Sequence, residues 1–129
     1  MDNMQQILMK ESKNDSDNNQ IYLYKINDYW FAYEYSAFYL YSICCVDAVF
    51  KYVEPENKKT ILISVLKNGY EKAGNPQLRV IERTEHQMVL NCGIKCKGFQ
   101  QWKDGWITLF KDRYFVQIIQ EFYRSLCKL

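Results

Sequence analysis

Glycine, proline and histidine are scarce in this sequence of 129 residues, which has five Gly, two Pro and one His. So few glycines leave little material for a phosphate-wrapping loop, and neither a GxGxxG nor a Gly-Lys-Ser/Thr motif occurs. The HExxH motif of metalloproteases and the GxSxG motif of α/β-hydrolases are missing as well. These absences argue against nucleotide-dependent chemistry and disfavour an enzyme, and we predict no catalytic residues.

Long apolar runs are missing too. No stretch approaches the roughly 18 uninterrupted apolar residues of a membrane span. The most apolar segment, residues 29–50, is interrupted by four polar residues: Glu34, Ser36, Ser42 and Asp47. The N-terminal residues lack the apolar centre of a signal peptide. The five Cys, an odd count with one adjacent pair, are typical of reduced and buried thiols. We therefore expect a cytoplasmic protein that does not enter a membrane.

Aromatic residues are abundant, with 11 Tyr, 7 Phe and 3 Trp making up 16% of the chain. Their burial predicts an aromatic-rich core. The net charge of +2 is too small to indicate a polyanionic partner, which argues against nucleic-acid binding. The length fits one domain. Since residues 11–20 are polar and have no apolar anchor, we predict a mobile N-terminal tail over residues 1–20 and a single domain over residues 21–129.

The first half of the domain gives one clear strand and two helical predictions. Residues 21–27 alternate like a strand, and Asn27-Asp28 offers a turn or a helix N-cap. Residues 29–53 fit either two strands that break near Ser36 or a helix, and their lack of Gly and Pro favours the helix. Residues 56–73 predict a helix, because apolar residues recur at helical spacing: Ile61, Leu62, Val65 and Leu66.

From residue 77 onward the apolar period changes to two, which predicts strands over residues 78–83 and 87–91. Asp104-Gly105 is a strong two-residue hairpin signal and predicts strands over residues 99–103 and 106–110. A further strand over residues 114–119 and a short C-terminal helix over residues 121–129 complete the prediction. The predicted fold is α+β, with an antiparallel meander of four to five strands packed on one face by one or two helices.

Three residues are weak candidates for a metal site: Cys92, Cys96 and His86. Zinc sites use about four ligands, commonly from closely spaced pairs of thiolates. Here the spacing is CxxxC, and no second pair at the usual spacing is present. We favour ordinary thiols that flank a glycine turn, and we predict no metal and no cofactor. A nucleophile–base pair of a Cys with His86 is disfavoured because no local signature surrounds any of the thiols.

Glu34 and Asp47 interrupt the most apolar segment, so they are the acids most prone to enclosure. A carboxyl that is buried while another stays solvated can carry out acid–base chemistry. A charge within an apolar run more often marks the place where that face meets water. We therefore favour a surface position for both acids, and a pairing of Glu34 with a base across the core is the alternative.

Six aromatic residues are candidates for a ligand or partner surface: Trp30, Tyr33, Tyr35, Phe99, Trp102 and Trp106. Stacking of nucleic-acid bases on the last three is disfavoured relative to packing over the core. Tyr and Trp are enriched where protein interfaces concentrate binding energy. We therefore expect a protein-interaction module, such as an adaptor, an inhibitor or an immunity-type partner, with homodimerisation in the same class. The alternative is a small-molecule binding protein with an aromatic-lined pocket between the sheet and the helices.

Overall fold

The computed structural model describes residues 4–14, 18–44, 46–55, 57–67 and 78–109. Within these ranges the elements follow one another in this order: α1 (Met4–Ser12), β1 (Gln20–Ile26), β2 (Tyr29–Tyr33), α2 (Tyr35–Ile43), β3 (Ala48–Val53), β4 (Thr60–Lys67), β5 (Leu78–Arg83), β6 (Gln87–Cys92) and α3 (Phe99–Leu109). The predicted α+β class is confirmed, with a sheet whose strand pairs are all antiparallel.

Across the described ranges the sheet has six strands in the order β3-β4-β2-β1-β6-β5, which is one strand more than the upper limit of the prediction. Three hairpins lie side by side, because consecutive strands pair within β1–β2, β3–β4 and β5–β6. Longer-range pairs join them, with Tyr33 opposite Ile63 and Ile21 opposite Leu90. The predicted meander order is therefore wrong. Hairpin turns are set locally, but nothing local in the sequence fixes how separate hairpins pair.

Helices cover both faces of the sheet, whereas the prediction placed them on one face. On one face α1 packs on a cluster that includes Ile7, Phe31 and Phe50. On the other face α2 and α3 cover a cluster that includes Trp30 and Leu66. The central strands β2 and β4 are consequently buried on both sides, which stabilises the fold through continuous apolar burial.

The predicted helix over residues 56–73 is wrong where the structure describes it, because residues Thr60–Lys67 form strand β4. The six residues from Ile61 to Leu66 are all buried. A strand buried on both faces reads as a continuous apolar run, and such a run also matches the spacing of a helical stripe. Ser64 lies in this run, and its hydroxyl donates to the Ala37 carbonyl of α2 at 3.0 Å. Residues 68–77 of the prediction lie outside the described residues.

Residues 29–53 form a strand, a helix and a strand, so both interpretations of this segment are wrong as whole-segment assignments. The two-strand alternative correctly placed a break near Ser36, which lies in the first turn of α2. The first five residues of the segment do not continue as a helix from Asp28, because they form β2, which pairs with β1 and β4 on either side. Asn27-Asp28 is the turn of the β1–β2 hairpin, and Asn27 has a positive φ of 54°.

The hairpin predicted around Asp104-Gly105 is wrong, because residues Phe99–Leu109 form helix α3. The Trp102 N–H donates to the Gly98 carbonyl at 3.0 Å as the helix begins, and Gly98 has a positive φ of 98°. The predicted strands over residues 21–27, 78–83 and 87–91 are confirmed as β1, β5 and β6. The predicted strand over residues 114–119 and the helix over residues 121–129 lie outside the described residues.

The segment predicted to be a polar tail contains helix α1. Ile7 is buried against the sheet, and so are the polar side chains of Glu11 and Asn14. These two polar residues hold the N-terminal segment on the rest of the fold. Hydrophobicity patterns do not reveal them, because polar groups can be buried when they hydrogen-bond to one another or to the backbone.

Candidate functional site

The sheet opens where β1 and β2 separate. The ladder between them ends at the pair of Tyr24 with Phe31, and the chain then turns from β2 into α2. Backbone groups at this opening are satisfied by side chains. The Ser36 hydroxyl accepts from the Tyr22 N–H at 2.9 Å, and the Asn14 amide donates to the Gln20 carbonyl at 2.8 Å. Polar side chains from α2 and from the turn that follows α1 therefore close the gap in the ladder.

Glu11 is a carboxyl that caps α2 from a different helix. Only 4% of the residue is exposed, and its Oε1 accepts from the backbone N–H of Ser36 at 3.0 Å. The Ser36 hydroxyl donates to Oε2 at 2.5 Å, and the Asn14 amide donates to Oε1 at 3.3 Å. Burial raises the pKa of Glu11 to about 7, although these hydrogen bonds lower it, and the nearby charge of Glu34 raises it further.

Glu34 forms the corner between β2 and α2. Its N–H donates to the Leu62 carbonyl at 2.9 Å and its carbonyl accepts from the Phe38 N–H at 2.9 Å, so it ends the ladder and begins the helix. Its backbone has φ 52° and ψ −118°. A non-glycine residue in such a conformation costs on the order of 1–3 kcal/mol and needs support from its surroundings. Strain of this kind is concentrated at functional sites.

The Glu34 side chain pairs with Lys103 of α3, with 2.6 Å between Oε1 and Nζ. The Glu34 and Lys103 side chains are only 8% and 12% exposed. The other carboxylate oxygen of Glu34, Oε2, is buried and has no hydrogen-bond partner among the described residues. The predicted surface position of Glu34 is therefore wrong, and the alternative pairing with a base is the one observed. The burial is tolerated because the ammonium group balances the charge.

A pocket of about 270 Å³ lies between α1, the Glu34 corner and α3. Its lining comes from α1 (Leu8, Glu11, Ser12), the corner (Glu34, Tyr35), the β3–β4 turn (Lys59) and α3 (Phe99, Gln100, Lys103). We call it the corner pocket. It brings two carboxyl groups, two lysines and two aromatic rings together, so polar groups from several elements converge beside an aromatic wall.

Four of the six predicted aromatic site residues meet between α2 and α3. Tyr35 stacks on Phe99 with their ring centroids 4.2 Å apart. Trp102 and Trp106 lie further along α3 and pack on Tyr41 of α2. Their ring centroids are 5.6 Å and 6.0 Å from the centroid of the Tyr41 ring. The stack of Tyr35 and Phe99 forms one wall of the corner pocket, and Tyr41 at the other end is 41% exposed.

The other two predicted aromatic residues fill the core. Trp30 is 1% exposed beneath α2, and Tyr33 is 5% exposed on the opposite face of the sheet. They lie on β2, whose alternation of sides sends successive residues to different faces. Neither residue lines the corner pocket, and neither belongs to the group of rings between α2 and α3.

The weak metal candidates do not form a site. His86 precedes β6 and Cys92 ends it, so the strand separates them by roughly 20 Å. Cys92 and Cys96 are neighbours, and burial raises the pKa of the Cys96 thiol, which the nearby Cys92 raises further. Among the described residues no three His, Cys, Asp or Glu side chains are placed to hold a metal ion.

Asp47 lies at the surface, as expected. Its Oδ2 accepts from the Lys67 N–H at 2.7 Å at the end of the β3–β4 ladder. The residues that sequence reasoning missed are Glu11 and Lys103. For Lys103 a signal exists, because Phe99, Trp102, Lys103 and Trp106 recur at helical spacing, but the Asp104-Gly105 turn signal outweighed it.

Comparison of the chain with protein-family models, curated proteins and solved structures gives no significant match. No helix in the described part of the chain is long and apolar enough to cross a membrane.

Proposed function

We propose that this protein binds a small polar molecule in the corner pocket. The observation that carries the proposal is the Oε2 atom of Glu34, a buried carboxylate oxygen with no partner among the described residues, in a residue that lines the pocket. Buried polar atoms are nearly always hydrogen-bonded, so an unpartnered one beside a pocket favours a ligand that donates to it. The volume of about 270 Å³ is at the lower end for ligand sites and favours a small molecule.

Two further features support this proposal. The strained backbone of Glu34 is held in place by hydrogen bonds at both its N–H and its carbonyl, which fixes the carboxylate before any ligand arrives. In addition, burial raises the pKa of Glu11 to about 7 while Glu34 is paired with a lysine, and carboxyls with contrasting environments in one cleft are typical of functional sites.

A screen by nuclear magnetic resonance tests the proposal. We expect a library of small polar metabolites to contain compounds that shift the backbone amides of Tyr35, Gln100 and Lys103. The Glu34→Gln variant should lose these shifts, because an amide in place of the carboxylate removes the charged acceptor. Glu82→Gln is the matched control, since Glu82 lies exposed on β5. A library without any compound that shifts these amides, or equal shifts in both variants, would contradict the proposal.

A second candidate function is protein interaction through the aromatic surface that Tyr41 of α2 forms with Trp102 and Trp106 of α3. The exposure of Tyr41, which packs on Trp102 and Trp106, favours it. Rings that are half exposed on a rigid support are typical of the residues that concentrate binding energy at interfaces.

We expect this surface to mediate association of two copies of the chain. Sedimentation of the wild type over a range of concentrations should show a dimer, and Tyr41→Ser should weaken it by about tenfold or more. Met9→Ser, at an exposed position on α1, serves as the control. A wild type that stays monomeric at every concentration contradicts this second candidate.

A further inference from the structure

The ion pair of Glu34 and Lys103 presents a hydrogen-bond acceptor beside a donor. Oε1 and Nζ are 2.6 Å apart, and both residues line the corner pocket. Oε2 of Glu34 can accept a hydrogen bond, and an ammonium group has three N–H donors, of which one serves the carboxylate. A ligand that satisfies both residues must therefore donate and accept at neighbouring atoms.

The charge of the pocket favours a neutral ligand. The buried Glu34 carboxylate is matched by the Lys103 ammonium, whereas burial raises the pKa of Glu11 to about 7 and Lys59 is exposed. A ligand with a net charge would compete for Glu34 or Lys103 and leave the other partner buried without its counter-charge, which is costly. A neutral ligand can add hydrogen bonds while the pair stays intact.

The walls of the pocket fit a ligand with one apolar face. The Phe99 ring stacks on Tyr35, and the Lys103 Nζ lies 5.8 Å from the centroid of the Phe99 ring. The ring and the charged pair are therefore adjacent, so a single small molecule can contact both. Sugars and cyclic polyols have this form, with C–H groups on one face and hydroxyls around the edge.

We propose that the corner pocket binds a neutral polyol of monosaccharide size, whose adjacent hydroxyls hydrogen-bond to Glu34 and Lys103 while its C–H groups lie against the wall formed by Tyr35 and Phe99. A hydroxyl both donates and accepts, so one hydroxyl can donate to Oε2 while its neighbour accepts from Nζ. This inference rests on the proposed small-molecule function and specifies its ligand class.

Titration of the isotope-labelled full chain with D-glucose, D-galactose, D-ribose and myo-inositol tests the inference. We expect at least one probe to shift the amides of Tyr35, Gln100 and Lys103 in a saturable manner. The deoxy derivative of that probe that lacks one of the two adjacent hydroxyls should bind at least about tenfold more weakly, because the buried carboxylate or ammonium is left unpaired. This comparison uses the wild-type protein and does not depend on the folding of a variant.

Glu34→Gln should weaken binding of the same probe by about tenfold or more, whereas Glu82→Gln should leave it unchanged. Acetate and ethanolamine serve as probes with a net negative and a net positive charge. If they shift the pocket amides and the polyols do not, the polyol inference is overturned and the small-molecule function survives. If neither these probes nor a wider metabolite library shift the pocket amides, both proposals are overturned.

Discussion

Glu11 is a buried acid whose hydrogen-bond donors, Ser36 and Asn14, are both neutral. Burial raises its pKa from 4.5 to about 7. The folded state therefore holds a proton on Glu11 over a pH range in which the unfolded chain has released it. The contribution of this bound proton to the free energy of unfolding is fully present below pH 4.5. It is lost as the pH rises through about 7. The loss amounts to about 3 kcal/mol, because one pKa unit corresponds to about 1.4 kcal/mol.

Replacing Glu11 with Gln removes this titration and keeps an acceptor for the Ser36 N–H. We expect the free energy of unfolding of the wild type, relative to Glu11→Gln, to fall by about 3 kcal/mol between acidic and mildly alkaline pH. Urea denaturation at several pH values measures the difference. Glu82→Gln, which changes an exposed acid, should give no such trend. If the free energy of unfolding changed with pH in the same way for the wild type and Glu11→Gln, the raised pKa of Glu11 would be contradicted.

Among the elements, α3 departs most from what its sequence indicates. Gly105 lies within the helix, and a Cβ added at this residue would meet no atom within 4 Å. A glycine in a helix interior is destabilising by roughly 0.5–1 kcal/mol relative to alanine. The packing of Trp102 and Trp106 against Tyr41 offsets this cost and keeps the segment helical.

Gly105→Ala should therefore stabilise the protein by about 0.5–1 kcal/mol, as measured by chemical denaturation. The same substitution in the hairpin that the sequence predicts would place alanine at a positive φ and would be destabilising. The sign of the change thus distinguishes the helix from the hairpin. Gly98→Ala is the opposite control, because Gly98 has a positive φ of 98° and should tolerate alanine poorly.

Elements with one clear pattern were predictable, and elements with two competing patterns were not. Strand β6 alternates between buried and partly buried residues, so its period of two was visible. Strand β4 is buried on both faces and has no period of two, so it was taken for a helix. In α3 a local turn signal and a helical spacing conflicted, and contacts with α2 from a distant part of the chain decided the outcome.

At the scale of the whole molecule, the corner pocket depends on contacts that sequence patterns do not reveal. Glu34 and Lys103 are 69 residues apart, and Glu11 reaches Ser36 across 25 residues. The aromatic wall was partly predictable, since Tyr35 and Phe99 were among the candidates and both line the pocket. Among the charged groups, Glu34 was foreseen as an acid prone to enclosure with a base as its alternative partner, but Glu11 and the identity of that base, Lys103, were not.

The central claim is that α3 lies on the β2–α2 corner and forms the corner pocket through the buried pair of Glu34 and Lys103. A double-mutant cycle with Glu34→Gln and Lys103→Met, measured by urea denaturation, tests it most directly. We expect each single variant to be destabilised and the two changes to be coupled by at least about 1 kcal/mol, because either one leaves its partner unpaired in a buried position. Additive effects, with a coupling energy of zero, would contradict the claim.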